Sequence, residues 1–246
     1  MSVLLETQGL SLSFGGIVAA DKIDFSLNKG ERLAVIGQNG AGKTTFINIC
    51  TGLIKPDAGM VKFDGRTITG KSPRKIVQMG MARSFQIPQL FTEHTVRECL
   101  ELAGVARSQS LSLLTSLSDS NDAPTVDHIL ELVGLRDRQY ELCESLPEGQ
   151  RKLLDVAMSL MLRPRLLIMD EPTSGVSTEE KHGIMEILMR ALDEQETTSI
   201  FVEHDVDIVK RYASRVAAWI SGAVVADATP DVVLSDPTIQ KEVLGN

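Results

Sequence analysis

A glycine-rich segment near the start of the chain combines the residues that bind nucleotide phosphates. Residues 37–44 have the phosphate-loop pattern of glycine, four residues and then Gly-Lys-Thr. In this pattern Lys43 reaches the β- and γ-phosphates, the Thr44 hydroxyl binds magnesium, and Thr45 is expected to contact the α-phosphate. The sequence therefore predicts a MgATP site. Its loop residues are Gly37, Gln38, Asn39, Gly40, Ala41, Gly42, Lys43, Thr44 and Thr45.

The loop lies between a predicted strand and a predicted helix. The apolar run from Arg32 to Ile36 indicates the strand, and Phe46 to Thr51 favours the helix. Backbone N–H groups of such a loop and of the helix N-terminus surround phosphates. The alternative is a glycine turn with a solvated lysine, but the full pattern rarely arises by chance.

Two adjacent carboxylates follow a second apolar run. Leu166 to Met169 predicts a buried parallel strand, and Asp170 and Glu171 follow it at the edge where open α/β sheets bind ligands. We expect Asp170 to hold magnesium through water, and Glu171 to orient or deprotonate the water that attacks the γ-phosphate. A strand that ends in Asp-Glu-Pro is by itself more often a solvated turn, so this prediction depends on the phosphate loop.

Composition disfavours several kinds of partner. The 246 residues carry a net charge of -8, and this acidic balance opposes binding to nucleic acid. No apolar stretch approaches the roughly 20 residues that span a bilayer, and the start shows no secretory signal, so a cytoplasmic location is expected. Cys50, Cys99 and Cys143 have no paired spacing, which predicts buried thiols and neither a disulfide framework nor a metal site.

The apolar pattern predicts a mixed α/β fold. Alternation from Leu4 to Phe14 and from Ile23 to Leu27 indicates an antiparallel strand pair, and Asp64 with Gly65 indicates a further hairpin. Apolar strands that alternate with helices then imply a parallel sheet. The later predicted elements are a helix from Thr178 to Leu192, a strand from Ser199 to Val202, a helix from Val206 to Tyr212 and strands near Val216 and Val224.

A helical insertion is predicted between the two halves of this sheet. Thr95 to Glu98 matches a capping box that begins one helix, while Asp127 to Val133 and Glu148 to Leu162 predict two more. The Ser-rich stretch from Ser108 to Asn121 predicts a loop or weakly ordered helix.

These elements predict a phosphate-loop core with a parallel sheet, an N-terminal antiparallel β subdomain and an α-helical insertion. Residues 1–246 are predicted to form a single domain. Within it, residues 1–87 and 164–246 would form the nucleotide-binding core, and residues 88–163 the helical subdomain.

Further features accompany the phosphate loop and the carboxylates. Phe14 precedes two glycines, Gln86 lies in Arg-Ser-Phe-Gln, and His204 follows a predicted strand. With these features in this order, the chain from about Leu5 to Leu244 resembles the ATP-binding subunits of ABC transporters. The resemblance also assigns a signature sequence, which in that family closes over ATP on the opposing subunit. Its residues here are Leu146, Pro147, Glu148, Gly149 and Gln150.

The resemblance implies the ABC ATPase fold and ATP hydrolysis coupled to transport. It implies that Gln86 contacts magnesium and faces the permease, and that His204 contacts the γ-phosphate. Phe14 stands where the family places a ring that stacks on adenine, with a core phenylalanine as the alternative.

Longer sequence segments resemble one branch of the family, the importers of branched-chain amino acids and urea. They are residues 83–91, 171–177 and 203–205, and the C-terminal stretch from Gly222 to Gly245 agrees. The resemblance implies an importer of branched-chain amino acids, urea, amides or a similar small polar solute. Its implied partners are permease subunits docking near Gln86 and the helical subdomain, a second ATPase subunit and a separate solute-binding protein. The implied location is the cytoplasmic face of the cell membrane, as a peripheral subunit.

Several residues depart from the family pattern. Pro147 replaces a serine whose hydroxyl would contact the γ-phosphate, and Glu148 replaces a glycine. Ser177 stands where the wider family has an aspartate that couples the two sites, and Met158 replaces an arginine. Because the Glu148 carboxylate would lie near the opposing γ-phosphate, we predict a heterodimer with a related ATPase subunit whose own nucleotide turns over more slowly.

Two other classes of protein share part of this pattern. A small-molecule kinase also uses a phosphate loop, but it needs neither Glu171 beside Asp170 nor His204 on the next strand. A soluble ABC-type ATPase that acts on a protein scaffold, as in iron–sulfur assembly, shares every nucleotide motif. A permease-docking groove near Gln86 would distinguish a transporter subunit from it.

Overall fold

The computed structural model describes residues 2–84, 88, 90–91, 93–108 and 123–245. Within these residues the strands are β1 (Val3–Phe14), β2 (Ile17–Asn28), β3 (Arg32–Gly37), β4 (Ala58–Phe63), β5 (Arg66–Thr67), β6 (Met81–Ser84), β7 (Leu166–Asp170), β8 (Thr198–Val202), β9 (Arg215–Ile220) and β10 (Ala223–Ala228). The α-helices are α1 (Lys43–Cys50), α2 (Pro73–Gln78), α3 (Val96–Ser108), α4 (Ala123–Leu132), α5 (Glu148–Met161), α6 (Thr178–Glu194), α7 (Val206–Tyr212), α8 (Pro230–Ser235) and α9 (Pro237–Ile239). Short 3₁₀ turns occur at Arg136–Arg138 and Cys143–Ser145, and a π-helical turn at Gln240–Leu244.

The strands form two sheets. The first is antiparallel in the order β2-β1-β4-β5, and the second has the order β10-β9-β3-β8-β7-β6. In the second sheet β3, β6, β7, β8 and β9 run parallel, and β10 is antiparallel to β9. This architecture confirms the predicted fold class.

The strand order explains how distant motifs meet. Because β8 lies between β3 and β7, the carboxyl ends of these three parallel strands are adjacent at one edge of the sheet. The phosphate loop follows β3, the two carboxylates come at the end of β7, and Glu203 and His204 follow β8. The sheet thus brings together residues that are more than a hundred positions apart in sequence.

The parallel sheet is buried on both faces because its side chains alternate between two apolar clusters. Along β3, Leu33 and Val35 pack in a cluster with the antiparallel sheet and α1, whereas Ala34 and Ile36 pack in a cluster with the helices from α3 to α7. The second cluster fixes the helices against the sheet that carries the candidate site. None of the helices in the described ranges is both long and apolar enough to cross a membrane.

The predicted capping box is present at the start of α3. Glu98 accepts a hydrogen bond from the Thr95 N–H at 2.8 Å, and the Glu98 N–H donates to the Thr95 hydroxyl at 3.3 Å. The three cysteines are buried and free, as predicted. The sequence did not reveal, however, that the sulfur atoms of Cys99 and Cys143 lie 3.1 Å apart.

Most predicted elements are present with shifted ends. The strand β2 begins at Ile17, six residues before the predicted start, because exposed Ile17 and Val18 break the alternating pattern while still pairing with β1. The helix α1 begins at Lys43, before the predicted Phe46, directly after the left-handed Gly42. Most of the Ser-rich stretch lies outside the described residues, and the division into subdomains stays a prediction.

Candidate functional site

A cavity of about 800 Å³ lies at the edge of the sheet where β3, β7 and β8 end. Its volume is in the range of small-molecule and cofactor sites. Most of the predicted loop, both carboxylates and His204 line it together with part of the β1–β2 hairpin. The lining residues are Ile17, Val18, Ala19, Gln38, Asn39, Gly40, Ala41, Gly42, Lys43, Thr44, Thr45, Asp170, Glu171, Val202 and His204.

The phosphate loop is shaped by its glycines and by its contact with β2. Gly42 has φ 100° and precedes α1, and a Cβ atom there would overlap the carbonyl oxygen of Ala19. Any other residue would therefore strain the backbone and collide with β2. The first N–H groups of α1 have no partner inside the helix, and its first residues line the cavity. This end of α1 thus offers hydrogen-bond donors to an anion.

Lys43 is buried and turned toward the loop, with 6% of its surface exposed. Its ammonium donates to the carbonyl oxygens of Gly37 and, at 3.0 Å, Gln38. Burial lowers the pKa of Lys43, and the nearby carboxylates of Glu171 and Asp170 oppose that change. The side chain therefore does not face solvent, because the loop folds around it and supplies its acceptors.

Glu171 and His204 form a pair across the cavity. The Nε2 atom of His204 lies 3.2 Å from Oε1 of Glu171, with the imidazole half exposed and the carboxylate largely buried. Glu171 has φ 51°, a left-handed conformation that is uncommon for a residue other than glycine. A carboxylate held beside an imidazole at the end of a buried strand is suited to orient a water molecule and accept its proton.

Asp170 is paired with an arginine on the neighbouring strand. Its Oδ2 atom lies 2.8 Å from Nη2 of Arg83, and both side chains are 9% exposed. The other terminal nitrogen of Arg83 donates to the side chain of Asn48 on α1. Arg83 therefore connects β6, β7 and α1 beneath the cavity.

The cavity offers few protein ligands to a metal ion. Among the described residues there is no group of three or more His, Cys, Asp or Glu side chains that could hold one. Magnesium in proteins typically takes one or two oxygen ligands from side chains and completes its shell with water and substrate phosphates. The hydroxyl of Thr44 and the carboxylate of Asp170 both line the cavity and fit that requirement.

We predict that Arg83→Met lowers the free energy of unfolding by about 3–5 kcal/mol, because it leaves the buried Asp170 carboxylate without its cation. Chemical denaturation measures this loss. The matched control is Arg211→Met, which breaks an exposed pair with Glu186 in which both side chains are more than half exposed. The control should cost at most about 1 kcal/mol. Equal losses in the two variants would contradict a special role for the buried pair.

A second buried carboxylate was not singled out from the sequence. Glu203 accepts hydrogen bonds from the N–H of Thr173 at 3.1 Å and from its hydroxyl at 2.7 Å. Burial raises the pKa of Glu203, and the hydrogen bonds oppose that change. This contact joins the end of β8 to the turn after Glu171. A glutamate directly before His204 was the available signal in the sequence.

Phe14 and Gly37 are predicted site residues that are not among those that line the main cavity. Phe14 is 48% exposed and pairs with Ile17 across the hairpin, so the core alternative is wrong, and Ile17 itself lines the cavity. Gln86 lies outside the described residues. Gly37 lines a smaller neighbouring cavity beside His204.

The predicted signature sequence lies at the start of α5. Leu146 is buried, Pro147 is the N-cap residue, and the helix begins at Glu148. The helix thus begins at the residue that the sequence predicted. Gln150 has a buried side-chain oxygen without a hydrogen-bond partner in the described part of the chain.

Comparison with known proteins identifies the family. The sequence profile of the ABC transporter family matches residues 20–174. A probable branched-chain amino acid transport ATP-binding protein, LivG, of Archaeoglobus fulgidus is 35% identical over 98% of this chain and 95% of its own length. The high-affinity branched-chain amino acid transport ATP-binding protein BraF of Pseudomonas aeruginosa is 32% identical over 98% of both chains.

The solved structures that resemble this chain include ATP-binding cassettes of an ABC transporter. The cassette MJ1267 of an ABC transporter is 30% identical, with a TM-score of 0.87 over 98% of both chains. Its ADP conformation is 31% identical, with a TM-score of 0.84 over 98% of both chains.

The chain belongs to the ABC transporter family. It is an ATP-binding subunit of such a transporter and an ATPase, as the sequence predicted. Its similarity to named transport subunits over nearly the whole chain does not favour the alternative of a soluble ATPase on a protein scaffold.

Proposed function

We propose that this chain hydrolyses MgATP in the cavity at the end of β3, β7 and β8, and that it drives import of branched-chain amino acids or a similar small polar solute. The observation that carries the site is the arrangement of phosphate loop, Asp170, Glu171 and His204 around one cavity. The proposed cargo rests on relatives named as branched-chain amino acid transport proteins, which align over 98% of this chain.

In this proposal the loop residues 37–45 and the N-terminus of α1 bind the phosphates, and Lys43 turns from the carbonyl oxygens of Gly37 and Gln38 toward them. Thr44 and Asp170 would hold magnesium, with Gln86 as a further ligand. The metal would neutralise charge on the phosphate oxygens.

Glu171 would act on the attacking water. Its contact with His204 at 3.2 Å supports a pair in which Glu171 accepts the water proton and His204 donates to the γ-phosphate. The exposed ring of Phe14 would stack on adenine beside Ile17. A kinase needs a second substrate beside the γ-phosphate, whereas this pair is suited to orient water.

The proposed assembly contains permease subunits, a solute-binding protein and a second ATPase subunit, at the cytoplasmic face of the cell membrane. The signature sequence would close over the partner's ATP. The carboxylate of Glu148 lies against Gly175 of its own chain, since a Cβ atom on Gly175 would overlap it. An acidic group at this surface supports a related second subunit and a slower partner site.

Reconstitution of the complex in liposomes tests the proposal. We expect uptake of radiolabelled leucine or isoleucine only with the solute-binding protein outside and ATP inside, and subunit identification should find two different ATPase chains. Uptake of urea or amides instead of these amino acids would change the identity of the transported solute and leave the rest of the proposal unchanged. ATP hydrolysis without any co-purifying permease would contradict it, and two copies of this chain would contradict the heterodimer.

A further inference from the structure

A buried lysine on α5 contacts the segment that carries Glu171. Lys152 is 5% exposed. Its ammonium donates to the backbone carbonyl oxygen of Glu171 at 3.0 Å and to the hydroxyl of Ser174 at 2.7 Å. Since a buried ammonium is costly without acceptors, these two oxygens determine where the Lys152 side chain can lie. The same bonds restrict the turn from Glu171 to Ser174.

That turn holds Glu171 in an unfavourable backbone conformation. A left-handed φ of 51° in a residue other than glycine is costly and persists only where the surroundings enforce it. The Glu171 N–H donates to the backbone carbonyl oxygen of Val202 at 3.1 Å. The carbonyl oxygen of Glu171 also accepts a hydrogen bond from the Ser174 N–H at 3.2 Å. Lys152 adds the contact from outside the turn. Its hydrogen bond to the carbonyl, at 3.0 Å, is shorter than the one from the Ser174 N–H.

The same lysine lies next to the signature sequence. Lys152 follows Glu148 by four residues, so the two side chains lie on one face of α5, one turn apart. The Glu148 carboxylate in turn lies against Gly175, the residue after Ser174. Burial lowers the pKa of Lys152, and surrounding carboxylates, with Glu148 foremost, oppose that change. The start of α5 and the turn after Glu171 thus form one contact region built around a single ammonium.

We propose that Lys152 is a positioning residue for hydrolysis, which holds the Glu171 backbone so that its carboxylate faces His204 and the attacking water. It acts through the Glu171 carbonyl and Ser174, and it connects the signature helix to that carboxylate. The inference rests on the proposed function, in which Glu171 acts on the water. Because small displacements of a reacting group reduce turnover strongly, loss of this contact reduces kcat and leaves ATP binding unchanged.

Lys152→Met in the full chain tests this, because it keeps the aliphatic stem and removes the ammonium. We expect kcat for ATP hydrolysis to fall about 10- to 100-fold while KM for ATP changes less than about two-fold. Lys152→Arg keeps a buried cation and should recover part of the loss, and Ser174→Ala, which removes one acceptor, should show a smaller loss. The control is Lys62→Met, which breaks an ion pair with Glu6 in the antiparallel sheet and should leave kcat unchanged.

A second measurement separates positioning from a structural role. In the Glu171→Gln background, and with the second ATPase subunit present, adding Lys152→Met should leave the ATP-bound dimer on size-exclusion chromatography unchanged. Loss of that dimer, or of ATP binding, would overturn the proposal by making Lys152 structural. Unchanged kcat in Lys152→Met, with Glu171→Gln inactive, would also overturn it while the proposed function stands. If Lys152→Met fails to fold, unchanged kcat in Ser174→Ala overturns the proposal. Normal hydrolysis by Glu171→Gln would instead contradict the proposed function itself.

Discussion

Glu171→Gln is expected to lower ATP turnover by about 10²- to 10⁴-fold, the contribution typical of a general base. The substitution keeps the size of the side chain and a hydrogen bond toward His204, but an amide cannot accept the water proton. Binding of ATP uses the phosphate loop, so affinity should be preserved. Single-turnover hydrolysis and nucleotide-binding titration measure the two effects separately.

The same variant should accumulate as an ATP-bound dimer, because hydrolysis normally ends that state. Size-exclusion chromatography of this variant together with the second ATPase subunit and MgATP detects it. Glu186→Gln is the matched control, since Glu186 forms an exposed pair with Arg211 on the outer surface of α6 and α7. Normal hydrolysis by Glu171→Gln would show that another residue is the base, and His204 would be the next to replace.

The fold and most of the site could be predicted because their signals are local. The phosphate loop, the capping box at Thr95 and the carboxylates after β7 are each recognisable within a few residues. Their meeting at one edge follows from a single further rule, that ligands bind at the carboxyl ends of parallel strands. Shifted ends, as at Ile17 and Lys43, arise where exposed apolar residues or a left-handed glycine change the periodic pattern.

The contacts that hold the site together could not be predicted in the same way. Arg83 and Asp170 are separated by 87 residues, and Lys152 and Glu171 by 19. Helical periodicity predicts that a position is buried, but not which carbonyl or carboxylate it meets there. Lys152 and Arg83 are charged residues, which patterning places at the surface by default. Their burial becomes understandable once the oxygen atoms that surround them are known.

Lys43→Ala is expected to weaken ATP binding by about 10- to 150-fold, which corresponds to the about 1.5–3 kcal/mol of a hydrogen bond to a charged group. The fold should survive. Removing Lys43 loses hydrogen bonds to Gly37 and Gln38 but also relieves the cost of burying an ammonium, the cost that lowers its pKa. These two effects oppose each other, so the free energy of unfolding should change by less than about 2 kcal/mol.

Nucleotide titration and chemical denaturation of the same Lys43→Ala preparation measure both quantities. Lys29→Ala is the control, because Lys29 forms a half-exposed surface pair with Asp64, in the turns that follow β2 and β4, and should affect neither. If Lys43→Ala binds ATP as tightly as the unaltered chain, the loop does not bind phosphates through this lysine. If it unfolds instead, the bonds from Lys43 to the loop carbonyls contribute more to stability than the burial of its charge removes. Comparing the change in ATP affinity with the change in the free energy of unfolding therefore separates the contribution of Lys43 to nucleotide binding from its contribution to the stability of the loop.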